Sequence, residues 1–394
     1  MEPSYKPILR QVDVFPGEYQ GRPILYLRDP LGFVDELIGL PQDLAFILPL
    51  MDGERDLRDL QVEASKIVGQ IVPFEEIAKL VEFLDEKGLL WSESFESIKE
   101  RAYEEWFSLK VRPMAHANQA YPLSGNEAEW FLEEVLKLSQ VNSGEPPRVL
   151  IAPHIDIRVG AKAYAEAYQR FRIPSGSRVI VLGVGHYLDF PYSILTKDIA
   201  TPFGPLRNDR GGMLFLGNTK KLELFPDHMA HKFEHSIEFQ ALFLKYLLGE
   251  EVVVLPILIG SYHVISHNRE LVYGLVDGLL ELMDDRTYLL LGVDMCHRGL
   301  RYGDSFPADK LLAKSALERD KLMLELAFKG ETKELERLVT DGEQWKNCGS
   351  SSLFILSLII ERGAFRGTGE IFFQEAIPFG EGSFVSVASA GYFS

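Results

Sequence analysis

The stretch RVLIAPHIDIRVGAKAYAEAYQRF, residues 148–171, decides the fold. Val149 to Ala152 form a short apolar run, which is typical of a strand buried on both faces. Pro153 cannot continue the hydrogen-bond ladder, so the strand should end there and place His154 at its carboxyl end. Open α/β sheets hold their ligand crevices at this end of their strands. Gly160 then opens a predicted helix.

The same arrangement recurs downstream in VIVLGVGH, where a second apolar run leads through glycines to His186. Two histidines at two successive strand ends indicate two ligands of one metal. The competing interpretation is structural, because a single histidine at a strand end more often serves only as a hydrogen-bonding group. A further predicted strand, TYLLLGVDM, brings Asp294 and His297 to the same kind of position, where Asp294 is expected to orient the His297 imidazole.

Cys348 stands just before a helix with a dense apolar face, SSSLFILSLII. A helix N-terminus lowers the pKa of a thiol, which favours the thiolate that metals bind. The alternative is an inert buried cysteine, the commonest state of a free thiol. His235, one turn before Glu238, is the other histidine expected to enter a site.

The composition is that of a soluble globular protein of 394 residues, with 46% hydrophobic and 25% charged residues. A formal net charge of −17 argues against a general affinity for nucleic acid or for an anionic membrane. The N-terminal residues show no secretory signal, and no apolar run approaches the ~20 residues that span a bilayer. Two cysteines give no disulfide framework, so we expect a cytoplasmic protein.

Residues 1–95 are predicted to form a separate domain with three small helices and a terminal hairpin, a winged helix. The segments LMDGERDLRDL and FLDEKGLL resemble PqqD-like winged helices, which hold peptides. The acidic third helix disfavours DNA binding, and a packing appendage without a partner is the alternative. Residues 96–113 are predicted to be a helical linker to a second domain, residues 114–394. No histidine or cysteine occurs in residues 1–95, so this domain should contribute nothing to a metal site.

Eight short segments of the second domain carry a resemblance to the Memo family, in the order in which the family has them. They are HANQAYPLSGNEAEWFLEEVLKL, IAPHIDIRVGA, LGVGH, TPFGPLRND, EHSIEFQ, VDMCHRG, NCGSSS and ASAGYFS. The resemblance implies an α/β fold with a central mixed sheet flanked by helices, related to the class III extradiol dioxygenases, which hold non-haem iron(II). It also implies an association with a radical-SAM protein. We expect residues 1–95 to bind this partner.

By this resemblance the metal ligands are His154, His186 and Cys348, and the catalytic histidine is His297, with Asp294 beside it. Iron(II) is the expected metal, and the soft thiolate keeps copper and zinc as alternatives. The dioxygenases have a carboxylate where Cys348 stands, which weakens the case for ring cleavage and leaves metal binding intact. Ile155, Asp156 and Ile157 also replace the family's usual Ala-Gly-Tyr.

Two classes of function follow from this pattern. The first is a metal-dependent redox enzyme, oxygenase-like, that acts on an unknown small molecule. The second is a non-catalytic metalloprotein or a peptide-binding adaptor that works with a radical-SAM partner. A third and weaker option is zinc-dependent hydrolysis by His235 and Glu238.

Overall fold

The first half of the N-terminal region forms a small antiparallel sheet. The computed structural model describes residues 1–141 and 144–394 and divides them into two units, Met1–Leu109 and Lys110–Ser394. In the first unit, β1 (Asp13–Tyr19), β2 (Arg22–Arg28) and β3 (Ile38–Pro41) pair in that order. A 3₁₀ helix (Gln42–Leu50) follows, and then α1 (Leu57–Val68), α2 (Phe74–Glu86) and α3 (Glu93–Ser108).

The elements of the first unit match those of the predicted winged helix only in part. The predicted first helix is a 3₁₀ helix that contains Pro49, a residue without the amide that an α-helix interior needs. The expected wing strand is reduced to an isolated bridge between Leu90 and Leu9. Gly88 ends the third helical segment as predicted, with a φ of +67° that only glycine adopts without strain. The sheet that precedes the helices extends well beyond the single predicted strand at residues 23–30.

The division between the units falls inside the predicted linker. Helix α3 belongs to the first unit, whereas Val111 and Arg112 form a strand of the second unit. The remaining strands are β4 (Val111–Arg112), β5 (Val149–Ala152), β6 (Arg178–Val184), β7 (Tyr192–Ile194), β8 (Asp198–Ile199), β9 (Arg207–Asn208), β10 (Val253–Ile259), β11 (Thr287–Gly292), β12 (His297–Gly299), β13 (Thr368–Pro378) and β14 (Ser383–Phe393). The helices are α4 (Gly125–Leu136), α5 (Ala161–Tyr168), α6 (Arg210–Leu214), α7 (His235–Leu248), α8 (Tyr262–His267), α9 (Arg269–Leu282), α10 (Lys310–Lys329), α11 (Thr332–Thr340) and α12 (Ser350–Glu361).

The second unit is built on a mixed sheet of nine strands, as the fold class predicts. Its main order is β12-β14-β5-β11-β6-β10-β7, with β13 beside β14 and β9 beside β10. Strands β5, β11, β6 and β10 run parallel, whereas β14 and β7 run antiparallel to their neighbours. The four residues of β5 are fully buried, which explains their continuous apolar sequence.

Helices cover both faces of this sheet. Alternate strand residues, such as Ile151 and Leu182, pack in one core with α9, α10 and α12. On the opposite face, α7 contacts β6 and β11, and α5 contacts β5 and β14. Among the described helices, none combines the length and the apolar character that a membrane crossing requires.

Candidate metal centre

The carboxyl ends of three neighbouring parallel strands meet at one edge of the sheet. His154 lies two residues beyond β5, Asp294 two residues beyond β11, and His186 two residues beyond β6. Since β11 lies between β5 and β6, the carboxylate of Asp294 stands between the two histidines in the strand order. The topology therefore brings residues that are far apart in sequence to one place.

His154, His186 and His235 form a cluster at this edge. Each offers a ligand atom, and these atoms all lie within 4.8 Å of one another. The ring centroids are 5.1 Å apart for His154 and His186, and 5.0 Å from each of these to His235. His235 is the first residue of α7, and this helix contacts β6 and β11. The sequence pattern predicts a catalytic role for His235, and the structure makes it a candidate ligand as well.

The backbone and Glu234 fix the orientation of two of these rings. His154 Nδ1 is 2.9 Å from the carbonyl oxygen of Gly292, so Nδ1 carries the proton and donates it. His186 Nδ1 lies 3.0 Å from a carboxylate oxygen of Glu234, which also accepts from the His186 amide. These bonds leave Nε2 of both rings as the free ligand atom, and acceptors of this kind accompany most metal-binding histidines.

The protonation states also suit a ligand set. Burial lowers the pKa of His154, and it lowers the pKa of His235 well below its ordinary value. Both rings are therefore neutral at pH 7, with a lone pair available. Burial would also lower the pKa of His186, but the attraction of Glu234 outweighs it and the pKa is raised. A metal bound at Nε2 would displace the proton that this raised pKa favours, and its positive charge would then balance the charge of Glu234.

Cys348 lies directly beside the cluster. Its Sγ is 3.5 Å from His154 Nε2 and donates to the backbone oxygen of Asp294 at 3.2 Å. The helix-terminus argument predicts a lowered thiol pKa, and the structure reverses that direction. Burial raises the pKa of Cys348 well above its ordinary value, and the carboxylate of Asp294 adds to the rise. The thiol is thus protonated until a cation displaces the proton.

Asp294 hydrogen-bonds the loop that carries His154, and the hydrogen bonds of the His297 ring go to backbone oxygens. Asp294 Oδ1 accepts from the amides of His154 and Ile155, and its Oδ2 lies 3.7 Å from His154 Nε2. His297 Nδ1 instead faces the backbone oxygens of Met295 and Lys346 at 3.1 and 3.2 Å. Burial lowers the pKa of His297, so its imidazole is neutral with Nε2 unprotonated.

Glu238 belongs to a buried structural network. Arg112 forms an ion pair with it at 2.6 Å, and Tyr121 donates to it at 2.6 Å. The amides of Ala115 and His116 also donate to its carboxylate. Burial would raise the pKa of Glu238, but Arg112 and the other donors lower it overall. A carboxylate held by so many donors is a poor general base, which disfavours the zinc-hydrolase option.

Two contributors to the site were missed in the sequence. Glu234 holds His186 and also lies 3.4 Å from His235 Nδ1. The ring of His116 packs edge-to-face against His235, with centroids 5.8 Å apart. Both residues occur in segments that carry the family resemblance, EHSIEFQ and HANQAY. Sequence spacing alone does not indicate which of their side chains face the histidines.

One pair of donors beside the cluster has the separation of two ligands on a transition metal, although Cys348 is not part of the mutually close group His154, His186 and His235. Imidazole and thiolate ligands on one tetrahedral ion, with bonds of about 2.0 and 2.3 Å, lie roughly 3.5 Å apart. The separation of His154 Nε2 and Cys348 Sγ has this value. The soft sulfur and the imidazole nitrogens suit iron(II), copper or zinc better than magnesium or calcium.

Together, the fold and this cluster define an α/β protein with a candidate metal centre at the carboxyl edge of a mixed sheet. The chain belongs to the Memo-like protein family, whose sequence pattern matches residues 112–368. A MEMO1 family protein of Aquifex aeolicus is 35% identical over 284 residues, covering 72% of this chain and 74% of that protein. A second MEMO1 family protein, from Thermus thermophilus, is 35% identical over 284 residues, covering 71% of this chain and 82% of that protein.

Among solved structures, the uncharacterized protein JW3007 from Escherichia coli K12 is similar at 16% identity and a TM-score of 0.38. The likeness covers 62% of this chain and 99% of that protein. A score of this size does not establish a shared fold.

Proposed function

We propose that this chain is a metal-binding redox protein, oxygenase-like in type, whose centre is held by His154, His186 and Cys348. The observation that carries the proposal is the orientation of the two imidazoles. Each directs Nδ1 to an acceptor, Gly292 or Glu234, which leaves Nε2 as the ligand atom. Metal-binding histidines show this arrangement, with one ring nitrogen held by an acceptor and the other available to the metal.

Iron(II) is the proposed metal, with copper and zinc as alternatives because of the thiolate. Such an ion would supply redox chemistry and coordination positions for a small molecule, since three protein ligands leave others open. His235 is the alternative third ligand, because its ring lies within the same group as His154 and His186.

His297 is proposed as the proton-transfer residue. Its Nδ1 proton is held by backbone oxygens, so Nε2 can accept a proton from a bound molecule. The lowered pKa keeps this ring neutral and ready to accept at pH 7. Asp294 has the separate task of positioning the loop that carries His154, through two backbone amides.

The ligand set is tested by metal analysis of protein purified without oxygen. Cys348→Ser should lose most of the metal, because an alcohol is a far poorer ligand than a thiolate. His297→Ala should keep full metal and lower substrate-dependent oxygen uptake by ~100-fold or more. If His235→Gln loses the metal while Cys348→Ser keeps it, the third ligand is His235. Full stoichiometry in both of these variants and in His154→Ala would refute the site.

A peptide-binding adaptor is the second candidate, and the N-terminal sheet favours it. Strand β1 lies at an edge of this sheet and exposes Val14, Phe15 and Tyr19. An edge strand with exposed apolar side chains can accept a further strand from a partner. We propose a peptide or a radical-SAM protein as that partner. Amide exchange of β1 should slow when a purified radical-SAM partner is added, and Phe15→Glu should abolish the protection.

A further inference from the structure

A cavity of about 500 Å³ lies beside Cys348, between α8, α10 and the residues that lead into α12. Cys348 lines the cavity and also lies 3.5 Å from His154, so the cavity adjoins the candidate metal centre. Its volume is within the range of sites for small organic molecules. The walls carry several hydroxyl groups, among them Ser261, Thr340 and Ser350.

The charge of this cavity is opposite to that of the chain. The protein has 58 acidic and 41 basic residues, yet the described residues that line the cavity include no carboxylate. They do include Arg319 and Lys346. A cation-lined pocket on a strongly acidic protein is expected to attract an anion and to concentrate it there.

Arg319 has hydrogen-bonding capacity to spare. One terminal nitrogen donates to the backbone oxygen of Leu338, whereas Nε is buried without a partner in the described structure. Burial lowers the pKa of Arg319 more than the nearby Asp320 and Asp341 raise it. A carboxylate or phosphate bound in the cavity would pair with the charge of this guanidinium.

Lys346 adds positive charge on another wall. Its Nζ lies 2.9 Å from Asp304, and the same carboxylate also pairs with Arg298 at 2.7 Å. Lys346 and Arg298 thus share the single carboxylate of Asp304.

The start of α12 contributes a third feature. Its N-cap is Gly349, which has no side chain to satisfy the free amides of the first turn, and Ser350 lines the cavity. Amide groups at the N-terminus of a 12-residue helix favour an anion.

We propose that this cavity is the substrate pocket and that it takes a small organic anion, whose carboxylate or phosphate is held by Arg319 and the start of α12. The proposal deepens the function given above and rests on it, because the rest of the molecule would extend past Cys348 toward the metal. Lys346 strengthens the attraction without being the main contact, since Asp304 already engages it.

The test uses phenyl phosphate and benzoate as anionic probes and benzyl alcohol as a neutral probe of similar size. Calorimetric titration of the full chain should show binding of at least one anion and none of the alcohol. Comparison of the two anions distinguishes phosphate from carboxylate recognition. Equal binding of the alcohol, or no binding of either anion, would overturn the proposal.

Two variants locate the binding site. Arg319→Gln should weaken anion binding about tenfold or more, because a charged hydrogen bond is lost. Lys321→Gln removes the same charge from an exposed position of α10 and should leave binding within about twofold. Ser266→Trp, at the rim of the cavity, keeps the charge and should block entry. Equal binding in Arg319→Gln and in Lys321→Gln would place the anion elsewhere.

The link to the metal is tested separately with cobalt(II)-loaded protein. The phosphorus nucleus of bound phenyl phosphate should relax faster than with zinc-loaded protein, and Ser266→Trp should abolish the effect. If the protein never retains metal but still binds an anion in a way that depends on Arg319, the pocket is supported and the metal function is refuted. Full metal binding with no Arg319-dependent binding of either anion would refute the pocket alone.

Discussion

At the scale of single residues, the orientation of the clustered histidines depends on side chains outside the proposed ligand set. Glu234 accepts from the amide and the ring of His186 and from the amide of Ser236, and it lies near His235. Burial would raise its pKa, but His186 and these donors lower it overall, so the carboxylate is charged at pH 7. One anion thus orients two of the three clustered rings.

Removing the charge of Glu234 should therefore weaken metal binding. We expect Glu234→Gln to lower metal affinity about 10- to 100-fold, measured by competition with a chelator. Asp156→Asn is the matched control, because Asp156 lies near His154 in sequence but accepts from the Arg158 amide instead of an imidazole. Equal affinities in both variants would show that Glu234 has no role at the centre.

Asp320 gives a prediction about pH. Burial raises its pKa to about 7, although Ser386, Arg319 and Asn347 act in the opposite direction. The folded protein therefore retains a proton that the unfolded chain releases near pH 4, so this residue reduces the free energy of unfolding as pH rises from about 4 to 7. The difference in the free energy of unfolding between Asp320→Asn and the parent protein should therefore change with pH. It should be about 1 to 3 kcal/mol more favourable to the variant at pH 8 than at pH 5.

Chemical unfolding at the two pH values measures this difference. Asp304→Asn is the contrasting variant, because hydrogen bonds from Arg298 and Gly299 outweigh burial and lower the pKa of Asp304. Asp304→Asn should lower the free energy of unfolding at neutral pH, and this loss should become smaller as the pH falls through the acidic range. A parallel pH dependence of both variants would contradict the assignment for Asp320.

At the scale of elements, the contact between β11 and α7 holds the site together. A Cβ added to Gly292 would lie 2.3 Å from the backbone oxygen of Ser236 and 2.9 Å from Gln240. The same glycine supplies the oxygen that holds His154 Nδ1. Only glycine lets the strand approach the helix this closely, and the approach brings His235 to the other two histidines.

Gly292→Ala should therefore damage both stability and metal binding. We expect a loss of about 1 to 3 kcal/mol in the free energy of unfolding, from overpacking, together with weaker metal affinity. Gly144→Ala provides the control, since a Cβ there meets no atom of the described residues within 4 Å. Urea unfolding of the metal-free proteins and chelator competition are the measurements. Wild-type values for Gly292→Ala would show that the close approach is dispensable.

The sequence predicts the parts of this site that are set by strand ends. The apolar runs before His154, His186 and Asp294 are strong signals, because strands buried on both faces leave little ambiguity. The pairing of Asp294 with His154, and the raised pKa of Cys348, depend on tertiary packing that local sequence does not encode. A helix terminus favours a thiolate, but the desolvation of this partly buried thiol costs more.

At the scale of the whole molecule, the second unit contains every residue of the candidate centre. The first unit, Met1–Leu109, has no histidine or cysteine. A shortened chain that begins at Lys110 should fold and bind metal at full stoichiometry. Insoluble or metal-free protein would refute the independence of the second unit.

The position of the cut matters because of Arg112. This residue is 1% exposed, pairs with Glu238, and donates to the backbone oxygens of His231 and Glu234. A chain that begins at Met114, the boundary predicted from sequence, would leave Glu238 buried without its partner, at a cost of about 3 to 5 kcal/mol. Thermal unfolding of the two shortened chains should show the longer one to be clearly more stable, and equal melting temperatures would contradict this role of Arg112.

The most direct measurement for the metal centre is X-ray absorption on the full chain loaded with iron(II) under anaerobic conditions. The ligand set His154, His186 and Cys348 predicts one sulfur neighbour at about 2.3 Å together with nitrogen neighbours at about 2.0 to 2.2 Å. The sulfur contribution should disappear in Cys348→Ser, and the nitrogen contribution should fall in His154→Ala. A metal surrounded by nitrogen and oxygen alone in the parent protein would contradict the proposed ligation.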